Sequence, residues 1–165
     1  MTRAFLIDCG VTHEIRLRDV EEADLPIFFQ HQGDEVAVKM AVFASRDAAS
    51  FYQHWTELLA DEATLKKTIL VDNVIAGNVV GFTWEGKREV GYWVGREYWG
   101  QGVATKALSD FLCVECTRPL HAGVAKHNAA SLRVLEKCGF TPCSRDENSA
   151  AKTSDDSDHI LLQLK

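Results

Sequence analysis

Apolar and charged residues alternate along Glu14 to Val20, with Ile15 and Leu17 set against Arg16 and Arg18, which is the period of a half-buried strand. Glu21 to Gln32 changes to helical spacing through Ala23, Leu25, Phe28 and Phe29, and Asp47 to Asp61 repeats it with Ala48, Phe51, Tyr52, Trp55, Leu58 and Leu59. Strand-like runs follow at Lys67 to Asp72, Ile75 to Trp84 and Arg88 to Gly95. The short links Asp72-Asn73 and Glu85-Gly86-Lys87 join them into an antiparallel meander. From Gly102 the rows Val103, Ala107, Phe111 and Ala104, Leu108, Leu112 make the continuous apolar face of a buried helix. Leu120 to Ala125 returns to a short strand. Asn128 then caps a helix running to Cys138, and Gly139 suits its left-handed stop.

Phe140 to Cys143 and His159 to Leu164 read as the last strands. Between them, Ser144 to Asp158 carries acids and small polar residues with no aliphatic larger than alanine, so 144–158 is expected to be a mobile loop. The order is strand, two helices, three strands, helix, strand, helix, two strands, with no repeat and no linker. It predicts one mixed α/β (α+β) domain over residues 1–165.

At 165 residues with 46% hydrophobic content, the chain is long enough for one core and short for two. Its net charge of −6 argues against nucleic acid as the main partner, because phosphate binding draws on an excess of lysine and arginine. No apolar run approaches the roughly 20 residues that span a bilayer, and Asp8 interrupts the apolar stretch that a secretory signal would need. A cytoplasmic protein is expected, either monomer or homodimer. The five cysteines, Cys9, Cys113, Cys116, Cys138 and Cys143, are expected to be free thiols. Cys113-x-x-Cys116 falls in the helical run with no second pair to complete a zinc site, so buried helix cysteines are expected there. The histidines have no metal-ligand spacing, and no metal is expected.

The chemistry concentrates in Gly91-Tyr92-Trp93-Val94-Gly95-Arg96-Glu97-Tyr98-Trp99-Gly100-Gln101-Gly102-Val103-Ala104-Thr105, a strand that turns through glycines into a helix. Unpaired amides at a helix start favour an anion, and glycine lets that backbone come close to a pyrophosphate. A dinucleotide-binding turn is excluded by Thr105, which stands where a third glycine belongs, and by the preceding meander. A second segment, Asn128-Ala-Ala-Ser131-Leu-Arg-Val-Leu135-Glu-Lys137-Cys-Gly139-Phe140, follows one strand later.

Together the two segments resemble the cofactor half of the GNAT superfamily of N-acetyltransferases. Their wording is similar to the branch containing the ribosomal-protein N-terminal acetyltransferases, those of alanine and serine termini. The resemblance spans Glu14 to Phe140. It implies a twisted mixed sheet flanked by helices, with acetyl-CoA as co-substrate. It also implies that the amides of Trp99, Gly100, Gln101, Gly102, Val103, Ala104 and Thr105 hold pyrophosphate and that pantetheine runs along Tyr92, Trp93 and Val94. Trp93 or Val94 then offers an amide to the thioester oxygen. Two residues depart from the wider superfamily. Trp99 stands where many members have Gln or Arg, and Leu135 stands where many place a tyrosine acid.

Aminolysis of a thioester needs a neutral amine, and Glu89, in the strand assigned to pantetheine, is the candidate base; its alternative is a solvated charge paired with Arg88. Ser131 lies one helical turn before Leu135, where its hydroxyl can reach the sulfur or simply cap the helix. Asn128 can bond a pantetheine amide as well as cap. His31, Asp34, Glu35, Tyr52, Trp55 and Trp84 are candidates for an acceptor pocket, with core packing the alternative for the aromatics. The acceptor is a primary amine, either a protein N-terminus or a small cationic amine such as a polyamine, amino acid or aminoglycoside. A non-catalytic acyl-CoA-binding module is the rival of another class, separated by release of CoA thiol in the presence of amines.

Overall fold

The structure is a computed structural model that describes residues 12–41, 45–143 and 158–165. A mixed sheet of seven strands runs in the order β1-β2-β3-β4-β5-β7-β6. The strands are β1 (Ile15–Asp19), β2 (Leu65–Val71), β3 (Val74–Trp84), β4 (Lys87–Val94), β5 (Leu120–Ala125), β6 (Thr141–Pro142) and β7 (His159–Leu164). All neighbours are antiparallel except β4 and β5. Both meander turns form as predicted, with Asp72, Asn73, Glu85 and Gly86 at positive φ, the conformation that tight hairpins require.

Among the described residues five helices flank the sheet: α1 (Leu25–Gln32), α2 (Glu35–Met40), α3 (Ala48–Ala60), α4 (Val103–Phe111) and α5 (Ala129–Lys137). Because side chains alternate along a strand, the sheet has two differently covered faces. On one, Val79, Val90 and Val94 pack with Val103, Ala107, Leu108 and Phe111 of α4 and Leu135 of α5. On the other, Val80 packs with Leu25 and Phe28 of α1 and Phe51 and Trp55 of α3.

The helix expected over Glu21 to Gln32 is divided. A 3-10 turn at Glu22–Asp24 precedes α1, because Asp24 is drawn inward to a charge network. Its buried carboxylate accepts two bonds from Arg18, at 2.6 and 2.7 Å, one from the Thr68 hydroxyl at 2.6 Å and one from the Glu21 amide at 3.0 Å. Helix α2 was not expected. It is only six residues long, and Asp34 caps it by accepting from the amides of Val36 and Ala37. The strand expected over Phe140 to Cys143 shortens to Thr141–Pro142.

Cys113 and Cys116 correct a further expectation, since both are exposed and lie beyond the end of α4. The chain turns after Phe111 so that buried Glu115 can meet Arg88 at 2.6 Å, and this carries the cysteines to the surface. Cys9 and the loop 144–157 lie outside the described residues.

Burial pushes the Asp24 carboxyl pKa up, but the bonds from Arg18, the Glu21 amide and Thr68 outweigh it, leaving the pKa below the usual carboxylate range. A depressed folded pKa gives stability that is complete above the unfolded value of about 4 and is lost as pH falls through the folded one. Asp24→Asn should therefore cost about 3 kcal/mol near neutrality, because a neutral amide with one acceptor oxygen cannot pair the Arg18 charge or serve both Arg18 bonds and the Thr68 hydroxyl. Denaturant titrations from pH 2 to 7 should show the gap between wild type and variant closing at the acid end.

Candidate active site

Strand β4 pairs with β3 along its whole length, from Lys87 opposite Trp84 to Val94 opposite Gly77. On its other side it pairs with β5 only at Arg88 with Leu120 and Glu89 with His121. Beyond Glu89 the two parallel strands part, so among the described residues the β4 edge from Gly91 to Val94 has no strand partner on that side. Buried backbone groups need partners, and an open strand edge offers them to an extended, amide-bearing ligand. The approach of β3 on the closed side is tight: a Cβ on Gly77 would stand 2.0 Å from the Trp93 carbonyl oxygen.

Glu89 sits half-buried at the apex of the opening. Its register partner Phe82 packs with the α1 and α3 cluster, so Glu89 shares that face, as does its other partner, buried His121. Tyr92, three residues further along β4 and within the opening, is on the opposite face against α4 and α5. The phenol oxygen of Tyr92 lies 2.7 Å from the Ser131 hydroxyl and 3.4 Å from the Ser131 carbonyl oxygen. Burial pushes the Tyr92 pKa up to about 12, only partly opposed by the Ser131 bond, so the phenol keeps its proton.

The loop after β4 is fixed by its own backbone. The Trp99 indole donates to the Val94 carbonyl at 2.9 Å, and the Gln101 side-chain amide donates to the Glu97 carbonyl at 2.8 Å. Gly100 and Gly102 have φ of 72° and 77°, the left-handed region that favours glycine. Helices α2, α3 and α5 carry side-chain caps, from Asp34, Asp47 and Asn128, whereas α4 begins at Gly102 with none. The first amide bonded within α4 is that of Lys106, onto the Gly102 carbonyl. The amides of Val103, Ala104 and Thr105 therefore face outward at the positive end of the helix dipole, with open space above Gly100 and Gly102. These groups fit a pyrophosphate.

Asn128 bonds the protein at both ends of its amide: its Oδ1 accepts from the Ser131 amide at 3.0 Å and its Nδ2 donates to the Met40 carbonyl at 2.8 Å. Among the acceptor-pocket candidates, only His31 and Asp34 reach the end of β4. Buried His31 lies 3.6 Å from Glu97 and close against Gly95, and Asp34 lies 3.6 Å from Arg96. Burial lowers the His31 pKa against the opposing pull of Glu97, so the ring is neutral at pH 7. Glu35 is exposed in the first turn of α2. Tyr52 packs its ring on Phe29 and Phe51, and Trp55 is core beside Phe28. Trp84 is exposed at the β3–β4 hairpin tip, at the far end of β4 from its open edge.

Residues 14–141 match the family described as acetyltransferase (GNAT) domain. The chain belongs to the GNAT acetyltransferase family. As a member it is an acetyl-CoA-dependent N-acetyltransferase, and the resemblance read in the two glycine-flanked segments holds at the level of the superfamily. Solved GNAT structures share its fold at low identity. Spermidine N-acetyltransferase from Vibrio cholerae, in complex with CoA and spermine, is 14% identical with a TM-score of 0.74, over 91% of this chain and 94% of that one. RimJ from Mycobacterium smegmatis, in complex with CoA-disulfide, is 21% identical with a TM-score of 0.70, over 91% and 81%. An aminoglycoside acetyltransferase in complex with coenzyme A is 17% identical with a TM-score of 0.72, over 92% and 94%. No curated protein matches the sequence.

In this GNAT chain Leu135 is buried in the main core, and the phenol near the open edge comes from β4 rather than α5. Sequence reasoning assigned Tyr92 to the cofactor strand and missed its hydroxyl, because nothing in the spacing says that β4 and α5 meet. His121 beside Glu89 was missed for the same reason. Gly102→Val should weaken acetyl-CoA binding at least a hundredfold, through left-handed strain and loss of the open approach to the α4 amides. Calorimetry on the folded variant checks it, with a fall in Tm of only a few degrees expected alongside.

Proposed function

We propose that the protein acetylates a protein N-terminal α-amine by direct attack in a ternary complex. The observation that carries this reading is the division of polar groups across the open β4 edge, with Glu89 on one sheet face and the Tyr92–Ser131 pair on the other. Acetyl-CoA supplies the acetyl thioester. The amides of Gly100, Gln101, Gly102, Val103, Ala104 and Thr105 bind its pyrophosphate, the Trp99 amide being spent on the Arg96 carbonyl at 3.1 Å. The β4 edge from Tyr92 to Val94 aligns its pantetheine, and of Trp93 and Val94 it is Val94 whose amide faces the open side to polarise the thioester oxygen, since Trp93 is paired with Asn78 of β3. Asn128, with both ends of its amide already bonded, acts by fixing the turn before α5.

Glu89 takes a proton from the acceptor ammonium, directly or through a water. The neutral nitrogen forms the new bond to carbon, the electron pair of the broken C–S bond stays on sulfur, to which Ser131 donates a hydrogen bond, and the nitrogen loses its second proton to water as the amide forms. An α-amine suits one carboxylate base. With an ordinary pKa near 8 it is about a tenth neutral at pH 7, against less than about a thousandth for an alkylamine of pKa about 10.4. The sequence likeness to the ribosomal-protein branch supports the same acceptor. A small cationic amine is the second reading, favoured by the net charge of −6 and by the carboxylates of Asp34 and Glu97 beyond the end of β4. The free thiols of the described cysteines support a cytoplasmic location.

Release of CoA thiol across a panel of free-N-terminus peptides, polyamines, amino acids and aminoglycosides tests the acceptor class; turnover confined to polyamines or aminoglycosides would reverse the choice. Because an α-amine is already about a tenth neutral at pH 7, Glu89→Gln should lower turnover about tenfold at that pH with acetyl-CoA binding intact. The loss should shrink towards pH 9.5 as the amine becomes neutral unaided. A variant within threefold of wild type at pH 7 would make Glu89 a solvated charge.

A further inference from the structure

The Tyr92 side chain is half-buried against α4 and α5, projects from the open stretch of β4 and bonds a side chain on the helix that follows the other strand of the opening. The acetyl-transfer reading on which the following rests pairs it with Ser131 but gives the phenol itself no chemical step. Both groups within reach of the phenol belong to Ser131, and one of them, the carbonyl oxygen, can only accept. With an acceptor-only carbonyl at 3.4 Å and a hydroxyl that can donate or accept at 2.7 Å, the phenol can donate its proton into that pair. The shorter contact, 2.7 Å, is to the hydroxyl. Once its oxygen accepts from Tyr92, the Ser131 hydroxyl has its own proton to give elsewhere. Its backbone is held as well, because the Ser131 amide donates to Asn128, which is itself bonded to Met40.

We propose that Tyr92 is a positioning residue for thiolate departure, its phenol donating to the Ser131 hydroxyl so that the serine proton is aimed at the leaving sulfur. The proton count is unchanged by this role. Tyr92 keeps its proton throughout, Ser131 lends a hydrogen bond to the sulfur as the C–S bond breaks, and the thiolate takes its proton from Ser131 or from water, with Ser131 reprotonated by solvent. A plain strut between β4 and α5 would instead set the width of the opening, and its loss would appear in cofactor affinity.

The test compares Tyr92→Phe, Ser131→Ala and the double variant. Release of CoA thiol from acetyl-CoA is followed with a short peptide bearing a free N-terminal alanine, and with water alone as acceptor. The water reaction reads thiolate departure even where the peptide is not acetylated, so failure of the acceptor reading and failure of this one are distinguishable. Tyr92→Phe is expected to lower kcat about tenfold with KM for acetyl-CoA and calorimetric CoA affinity within twofold. The double variant should be no slower than Ser131→Ala, since two members of one hydrogen-bonded unit do not add. In the ligand-free protein, the Tyr92 hydroxyl proton should move in the NMR spectrum on Ser131→Ala. Additive losses, or a loss confined to KM and affinity, overturn the proposal. Should Tyr92→Phe not fold, 3-fluorotyrosine at position 92 keeps the packing and strengthens the donor. It should raise thiol release about threefold with Ser131 present and not with Ser131→Ala, and no change with Ser131 present overturns the proposal.

Discussion

The parting of β4 from β5 after Glu89 is the constraint on which the remaining features depend. A parallel pair held for only two register positions leaves backbone groups open in the middle of a sheet, where water access is limited and unpaired groups are costly. The fold meets that cost without closing the gap. On the far side of β4, Gly77 lets β3 approach Trp93 more closely than any side chain would permit. At the strand exit the Trp99 indole holds the Val94 carbonyl, and across the gap Tyr92 holds Ser131. The open edge is thus braced on three sides and remains available to a ligand.

Strand pleating then divides the chemistry. Glu89 stands on the α1 and α3 face, while Tyr92 reaches through the α4 and α5 face to Ser131, because positions an odd number apart point to opposite sides. The group proposed to take a proton from the nucleophile and the pair proposed to attend the leaving atom thus stand on opposite sheet faces. One three-residue step along a single strand supplies that separation. The α4 amino end adds a site for negative charge by omission, lacking the side-chain cap that α2, α3 and α5 possess.

The charge networks serve this frame from outside it. Arg18, Asp24 and Thr68 tie β1 and β2 to the turn that launches α1. Arg88 and Glu115 tie the start of β4 to the chain leaving α4, one residue before the strands part. Each buries a carboxylate with its full complement of donors, and each redirects local structure: the first divides the expected helix at Asp24, the second ends α4 early and exposes Cys113 and Cys116.

Periodicity determined the meander, both glycine turns, the α4 and α5 stripes and the Asn128 cap, because those depend on residues within a few positions of one another. The glycine-flanked segments likewise carried the family and its co-substrate. Short α2 was beyond reach, since six residues give no period to read. What only the tertiary structure decided is which distant groups meet. It placed Trp84 at a hairpin tip, Trp55 in the core and both ends of the Asn128 amide in protein bonds. It set Tyr92 against Ser131 and His121 beside Glu89, pairings that a strand register and a helix docking create and that no spacing along the chain encodes.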